Sequence, residues 1–79
     1  MIGAYIMILA SPGTVNGIVK ELRKIEQIEN ISVITGEYDI VVRVTVEDMQ
    51  KLADITDMIN LIDGVSKTHT HVIMREQRA

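Results

Sequence analysis

A chain of 79 residues is long enough for one domain and too short for two. Its 47% hydrophobic content excludes a disordered chain, and its net charge of −3 argues against a nucleic-acid partner, which needs a basic surface. There is no cysteine, no segment resembles a signal peptide, and none is apolar enough over its length to span a membrane, so we expect a cytoplasmic protein that does not bind DNA directly.

The first two elements are a strand and a helix. The apolar run from Gly3 to Ala10 has strand length, and Pro12-Gly13 ends it, because Pro lacks an N–H group and Gly accepts a positive φ. Thr14 then predicts a helix N-cap, with its hydroxyl accepting a bond from an early backbone N–H. The apolar stripe of this helix is Val15, Ile18, Val19, Leu22 and Ile25.

Two strands follow. The β-branched runs 31–35 and 38–46 predict a strand pair joined by a tight turn at Gly36 and Glu37.

The last two elements are a second helix and a fourth strand. Glu47 and Asp48 suit the positive N-terminal end of a helix. Gly64 suits a left-handed C-cap, and a strand is predicted from Val65 to Met74. The helix carries an apolar stripe formed by Met49, Leu52, Ile55, Ile59 and Ile62.

An internal repeat fixes the fold class. The segment from Ile28 to Ser32 corresponds to the segment from Ile62 to Ser66, and Asn30 stands where Gly64 stands. Asn and Gly are the residues that best tolerate the left-handed conformation, so both positions are predicted to be left-handed. One βαβ unit used twice predicts a ferredoxin-like βαββαβ sandwich of the α+β class, in which one four-stranded antiparallel sheet has both helices on one face.

Both faces of the central strands are rich in apolar residues, although two helices cover only one face. We therefore expect an exposed apolar patch on the uncovered face, and a dimer that buries about 800 Å² per partner would remove it. The sequence leaves open which set of the third strand faces the helices. In the first strand, one face carries Ala4, Ile6, Ile8 and Ala10 and the other carries Tyr5, Met7 and Leu9. In the third strand, one face carries Ile40, Val42, Val44 and Val46 and the other carries Val41, Arg43 and Thr45.

The order of elements, the hairpin Thr35-Gly36-Glu37-Tyr38-Asp39 and the turn Ile62-Asp63-Gly64-Val65 carry a family resemblance over roughly Gly3 to Met74. The chain resembles the amino-acid-sensing (RAM) domain of the Lrp/AsnC transcriptional regulators. The resemblance implies a homodimer that assembles into octamers or similar rings, with an amino-acid effector held between dimers near the hairpin. Those regulators carry an N-terminal helix-turn-helix domain, whereas this chain begins directly at the first strand. We therefore expect residues 1–79 to be a single domain without a helix-turn-helix, acting as a sensor or as a partner of full-length regulators.

Six residues are candidate ligand contacts. Gly36 and Glu37 would offer backbone N–H groups to a carboxylate, although Gly36 is equally explained by a turn that needs positive φ. Asp39 would accept an ammonium group or bond its own turn. Tyr38 is an interface or core aromatic at the same hairpin. The resemblance adds Thr68 and Thr70, which share one face of the last strand.

Other functions have less support. His69 and His71 share the opposite face of that strand and would suit a metal-responsive module of this fold if a carboxylate or a partner supplied further ligands. An ACT-type regulatory domain has the same order of elements, with its ligand beside Ser11-Pro12-Gly13. Catalysis lacks a nucleophile with a base and a phosphate-binding loop, so we expect neither an enzyme nor a cofactor.

Overall fold

Six elements follow one another in the order βαββαβ, and the computed structural model describes all 79 residues. The sheet order is β2-β3-β1-β4, and every neighbouring pair is antiparallel, which confirms the predicted ferredoxin-like sandwich. Neither helix has the length and apolar character needed to cross a membrane. The elements are β1 (Ile2–Ala10), α1 (Val15–Leu22), β2 (Ile28–Val33), β3 (Ile40–Val46), α2 (Met49–Asn60) and β4 (Val65–Val72).

The core lies between the helices and one face of the sheet, and it settles which set of β3 faces inward. All thirteen buried residues are apolar. Val42 is 0% exposed, so Val41 and Arg43, its neighbours along the strand, point to the uncovered face. The core consists of Ala4, Ile6 and Ile8 in β1, Ile40, Val42, Val44 and Val46 in β3, Ile18, Leu22 and Ile25 in and after α1, and Leu52, Ile55 and Ile59 in α2.

Thr14 occupies the predicted N-cap position of α1 but lacks the predicted side-chain capping bond, whereas the acidic start of the second helix is correct. Thr14 makes no side-chain capping bond, because its hydroxyl instead donates to the carbonyl oxygen of Ser11 at 2.7 Å. Asp48 does cap α2, since its Oδ1 accepts the N–H of Lys51 at 2.9 Å. The second helix therefore has a fixed start, while the first depends on the packing of Ile18 and Leu22.

The tight turn predicted between the second and third strands is also wrong. Residues 34–39 form a six-residue connection between β2 and β3, closed by the N–H of Ile34 donating to the carbonyl oxygen of Asp39 at 2.8 Å. Tyr38 and Asp39 belong to this connection, because the backbone there turns to contact β1 and does not pair with β2. We call residues 34–39 the hairpin loop.

Gly64 adopts the predicted left-handed conformation, with φ +96°, but Asn30 does not, since no residue other than Gly has a positive φ. Asn30 lies inside β2, where the register with β3 shifts between Ile28 and Asn30. The first half of the repeat enters its strand earlier than the second half does, so it needs no left-handed residue there.

The uncovered side of the sheet, which we call the open face, is less apolar than predicted. Met7, Leu9 and Val41 form an apolar group at one end. Arg43, Thr45 and the side chains of β4 make the rest polar, so the expected patch covers only part of the face. Strand register assigns to the open face Tyr5, Met7, Leu9, Asn30, Ser32, Val41, Arg43, Thr45, Lys67, His69 and His71.

Candidate functional site

Asp39 joins the hairpin loop to the end of β1. Its backbone N–H donates to the carbonyl oxygen of Ile8 at 3.0 Å, and its Oδ2 accepts the N–H of Ala10 at 2.7 Å. Ala10 needs this partner, because the ladder between β1 and β3 ends at Ile8 and Ile40. The carboxylate thus bonds β1 and not its own turn, and its Oδ1 makes no hydrogen bond within the chain.

Tyr38 fixes the other side of the loop against β4. Its hydroxyl oxygen lies 2.5 Å from Nδ1 of His69, and the two rings are tilted with centroids 5.4 Å apart. His69 is opposite Met7 in the strand register and therefore lies on the open face. The hairpin loop is therefore attached to β1 through Asp39 and to β4 through Tyr38.

The tip of the loop offers unpaired backbone donors. Gly36 has φ +131°, a conformation that side chains rarely adopt, and nothing lies within 4 Å of where a Cβ would be. Glu37 is exposed beside it. The backbone N–H groups of residues 35–38 make no hydrogen bond within the chain. Free N–H groups at a turn are suitable donors for an anion.

Thr68 and Thr70 lie on the other side of the sheet. Strand register places them opposite Ile8 and Ile6, which face the helices. The Thr68 hydroxyl donates to Oδ1 of Asn60 at 3.0 Å, and the Thr70 hydroxyl lies 3.5 Å from that of Thr56. Within one chain, the structure therefore brings Gly36, Glu37, Tyr38 and Asp39 together and separates both threonines from the Tyr38 contact on the open face.

The hairpin loop does not form a pocket within a single chain. Five depressions mark the surface, and none is lined by a residue from 35 to 39. Thr70 lines a shallow groove between α2 and β4 together with Met49, Thr56 and Val72. A ligand at the loop would stay exposed to solvent unless a second molecule covered it.

The alternative sites gain little from the geometry. His69 and His71 share the open face, but no group of three potential metal ligands exists in the chain. The loop with Ser11 and Pro12, where an ACT-type ligand would lie, is held by the N–H of Ser11 donating to the carbonyl oxygen of Gly64 at 2.8 Å, and no depression is lined by its residues.

Sequence reasoning missed a cluster of charged groups on the open face. The Arg43 guanidinium pairs with Glu29 of β2 and with Glu76 after β4, the latter at 2.6 Å from Nη2 to Oε1. The hydrogen bond from Arg43 lowers the pKa of Glu76, and the same bond raises the pKa of Arg43. Both acids are distant in sequence from Arg43, so only the isolated charge within a β-branched strand indicated that partners were required.

Comparison with known proteins gives one consistent result. The profile of a family described as "Lrp/AsnC ligand binding domain" matches residues 3–78. An uncharacterized HTH-type transcriptional regulator of Pyrococcus abyssi is 37% identical over 71 residues, which are 89% of this chain and 45% of that protein. The chain thus spans about half the length of the curated relatives it matches.

Solved structures agree with this result. TTHA0845 from Thermus thermophilus is 28% identical, each chain is covered completely, and the TM-score is 0.91. AsnC of E. coli has a TM-score of 0.92 at 20% identity, with 99% of this chain and 54% of AsnC covered, which shows the shared fold.

Proposed function

Because the chain belongs to the Lrp/AsnC ligand binding domain family, whose members among its relatives are transcriptional regulators, we propose that it is an amino-acid-binding and assembly module in the regulation of amino-acid metabolism. In this proposal, residues 1–79 act as one non-catalytic effector domain in the cytoplasm. The chain pairs with a second copy, the pairs join into rings of octamer type, and full-length regulators of the family are possible partners.

The observation that supports this proposal is that the hairpin loop does not form a closed binding site within a single chain. The loop is fixed by Asp39 and Tyr38 and presents unpaired polar groups, yet it lines no depression in a single chain. Polar groups that are held in place but left uncovered suit a site that a second chain completes.

An amino acid matches the chemistry of the loop. Oδ1 of Asp39 is free to accept from an ammonium group, and the N–H groups of residues 35–38 are free to donate to a carboxylate. An amino-acid zwitterion carries both of these groups on the same carbon atom. Charge-assisted hydrogen bonds are about twice as strong as neutral ones, so the pair would orient the ligand and leave its side chain toward the covering chain. Thr68 and Thr70 could reach such a ligand only from another chain.

Self-association through the open face follows from the same arrangement. Met7, Leu9 and Val41 form a half-buried apolar group on the open face beside the Tyr38–His69 contact. A face-to-face pair burying about 800 Å² per chain would remove these side chains from water, at about 25 cal/mol for each Å² of apolar surface. Association entropy offsets part of this gain.

Thermal melts against each of the twenty amino acids test the function. A ligand that binds the native state stabilises it by RT ln(1 + [L]/Kd), so a responding amino acid raises Tm with its concentration. Asp39→Asn should abolish most of the response, whereas Asp63→Asn, which changes an exposed carboxylate without a partner, should leave it intact. The proposal is wrong if no amino acid shifts Tm, or if Asp39→Asn leaves the response unchanged.

A further inference from the structure

The segment that follows β4 contacts the open face through Glu76. The N–H of Ile73 donates to the carbonyl oxygen of Gly3 at 2.9 Å, which extends the β1–β4 ladder by one residue. Glu76 then reaches past β1 to Arg43 on β3. We call residues 73–79 the C-terminal segment.

In addition to the bond from Ile73, two contacts of Glu76 hold this segment in place. Nη2 of Arg43 donates to Oε1 of Glu76 at 2.6 Å, and the hydroxyl of Tyr5 donates to Oε2 of the same carboxylate at 3.2 Å. Gly3 leaves space for the side chains of Arg43 and Ile73, because a Cβ at this position would lie 3.1 Å from Nη2 of Arg43 and 3.4 Å from Cδ1 of Ile73. The two oxygens of Glu76 thus bind neighbouring strands of the open face.

The contact between Arg43 and Glu76 can be broken at a low cost in free energy. Arg43 keeps a second carboxylate partner in Glu29, so the guanidinium stays paired when Glu76 leaves. The side chain of Glu76 is 47% exposed, and ion pairs in such surroundings contribute little and weaken with salt. Beyond the backbone bond of Ile73, the segment is therefore held on the face by the exposed carboxylate of Glu76 alone.

A partner chain and the C-terminal segment cannot occupy the same end of the open face. Two sheets that pack face to face lie about 10 Å apart, and their own side chains fill that space. The Glu76 side chain, held on Arg43 and Tyr5, would take part of that space. The apolar group of Met7, Leu9 and Val41 lies at the other end and is not touched by these contacts.

We propose that the C-terminal segment is a latch, closed by Glu76 on Arg43 and Tyr5, that competes with a second copy of the chain for one end of the open face. This inference rests on the proposed pairing through that face. The latch limits pairing at low salt and permits it when the ionic contact is weakened, so the chain itself contributes to the control of its assembly.

Glu76→Gln tests the latch, with Glu26→Gln, an exposed acid without a partner, as the matched control. Loss of one such pair is worth about two- to fivefold, and a dimer releases two latches, so the dimer dissociation constant should fall about 4- to 25-fold. Sedimentation velocity measures this constant at low salt. Heteronuclear NOE values at residues 75–78 report the release of the segment directly and should fall in Glu76→Gln alone.

The outcomes separate the latch from the pairing on which it rests. Tighter pairing together with a mobile segment supports the latch. If Glu76→Gln pairs less tightly or equally, competition is excluded while pairing stands. If neither the natural chain nor the variant forms a dimer at high concentration, pairing through the open face is wrong and the latch has nothing to regulate.

Discussion

The carboxylate of Asp39 and the backbone N–H of Ala10 lie 2.7 Å apart, although 29 residues separate them in the chain. This bond satisfies a donor that has no strand partner, because the ladder between β1 and β3 ends at Ile8 and Ile40. The second carboxylate oxygen makes no hydrogen bond within the chain. One side chain therefore serves both the sheet and the proposed ligand.

Asp39→Ala and Asp39→Asn should consequently differ in stability. Alanine leaves the partly buried N–H of Ala10 without an acceptor, which should lower the free energy of unfolding by about 1–3 kcal/mol. The amide oxygen of asparagine can still accept that bond, so Asp39→Asn should stay within about 1 kcal/mol of the natural chain. Urea denaturation measures both. An equal loss in the two variants would show that the carboxylate charge, and not the bond to Ala10, stabilises the fold.

Aspartate at two adjacent positions of β3 should have opposite effects. Val42 is buried, so Val42→Asp places an unpaired carboxylate in the core and should destabilise the chain by more than about 4 kcal/mol, which unfolds it. Val41 lies on the open face, so Val41→Asp should leave the fold intact and separate the proposed dimer. Circular dichroism gives the folded state and light scattering the mass. A folded Val41→Asp that is still dimeric would place the interface elsewhere.

The two helix starts should respond differently to alanine. Asp48→Ala removes the capping bond to Lys51 and should cost about 1 kcal/mol, or a fall of about 4–8 °C in Tm for a domain of this size. Thr14→Ala removes a hydroxyl that caps nothing and should cost clearly less. Thermal melts of the two variants compare them, and a larger loss at Thr14 would contradict the assigned caps.

The Arg43–Glu76 contact should be lost in acid. The hydrogen bond from Arg43 lowers the pKa of Glu76 in the folded chain, and the unfolded chain has the ordinary value of about 4.3. At pH values above the ordinary pKa, the contact therefore contributes its full stabilisation of the folded chain. This stabilisation disappears as the pH falls through the folded pKa. An NMR titration of the Glu76 carboxyl should therefore show a midpoint below the ordinary one, and Arg43→Gln should move it back up. A midpoint that Arg43→Gln leaves in place would mean that the two groups do not pair in solution.

The sequence predicted the parts of the fold that depend on short-range patterns. Helical spacing placed Ile18 and Leu22 on the buried side of α1, and the offset of 34 residues indicated the double βαβ unit. Alternation also separated Thr68 and Thr70 from His69 and His71. It could not state which set faces the helices, because both sets of the central strands contain apolar residues. Only the packing of α1 and α2 against the sheet decides that.

The candidate site shows the same limit. Composition and the family resemblance indicated the residues of the hairpin loop, but the partners of Asp39 and Tyr38 are Ala10 and His69, each on another strand. Such pairs depend on register, and register depends on the whole sheet. The missed cluster at Arg43 has the same cause, since Glu29 and Glu76 approach it from opposite sides. Local pattern does not encode contacts between chain segments that meet only after folding.

The strand order β2-β3-β1-β4 also has a consequence for how the chain is made. The first repeat supplies β1 and β2, the second supplies β3 and β4, and strands of the two repeats alternate across the sheet. Neither repeat can therefore form a hydrogen-bonded strand pair from its own residues. During synthesis on the ribosome, β1 must wait for β3, and its second neighbour β4 emerges last. Folding of this domain is completed only after nearly all of the chain has been synthesised.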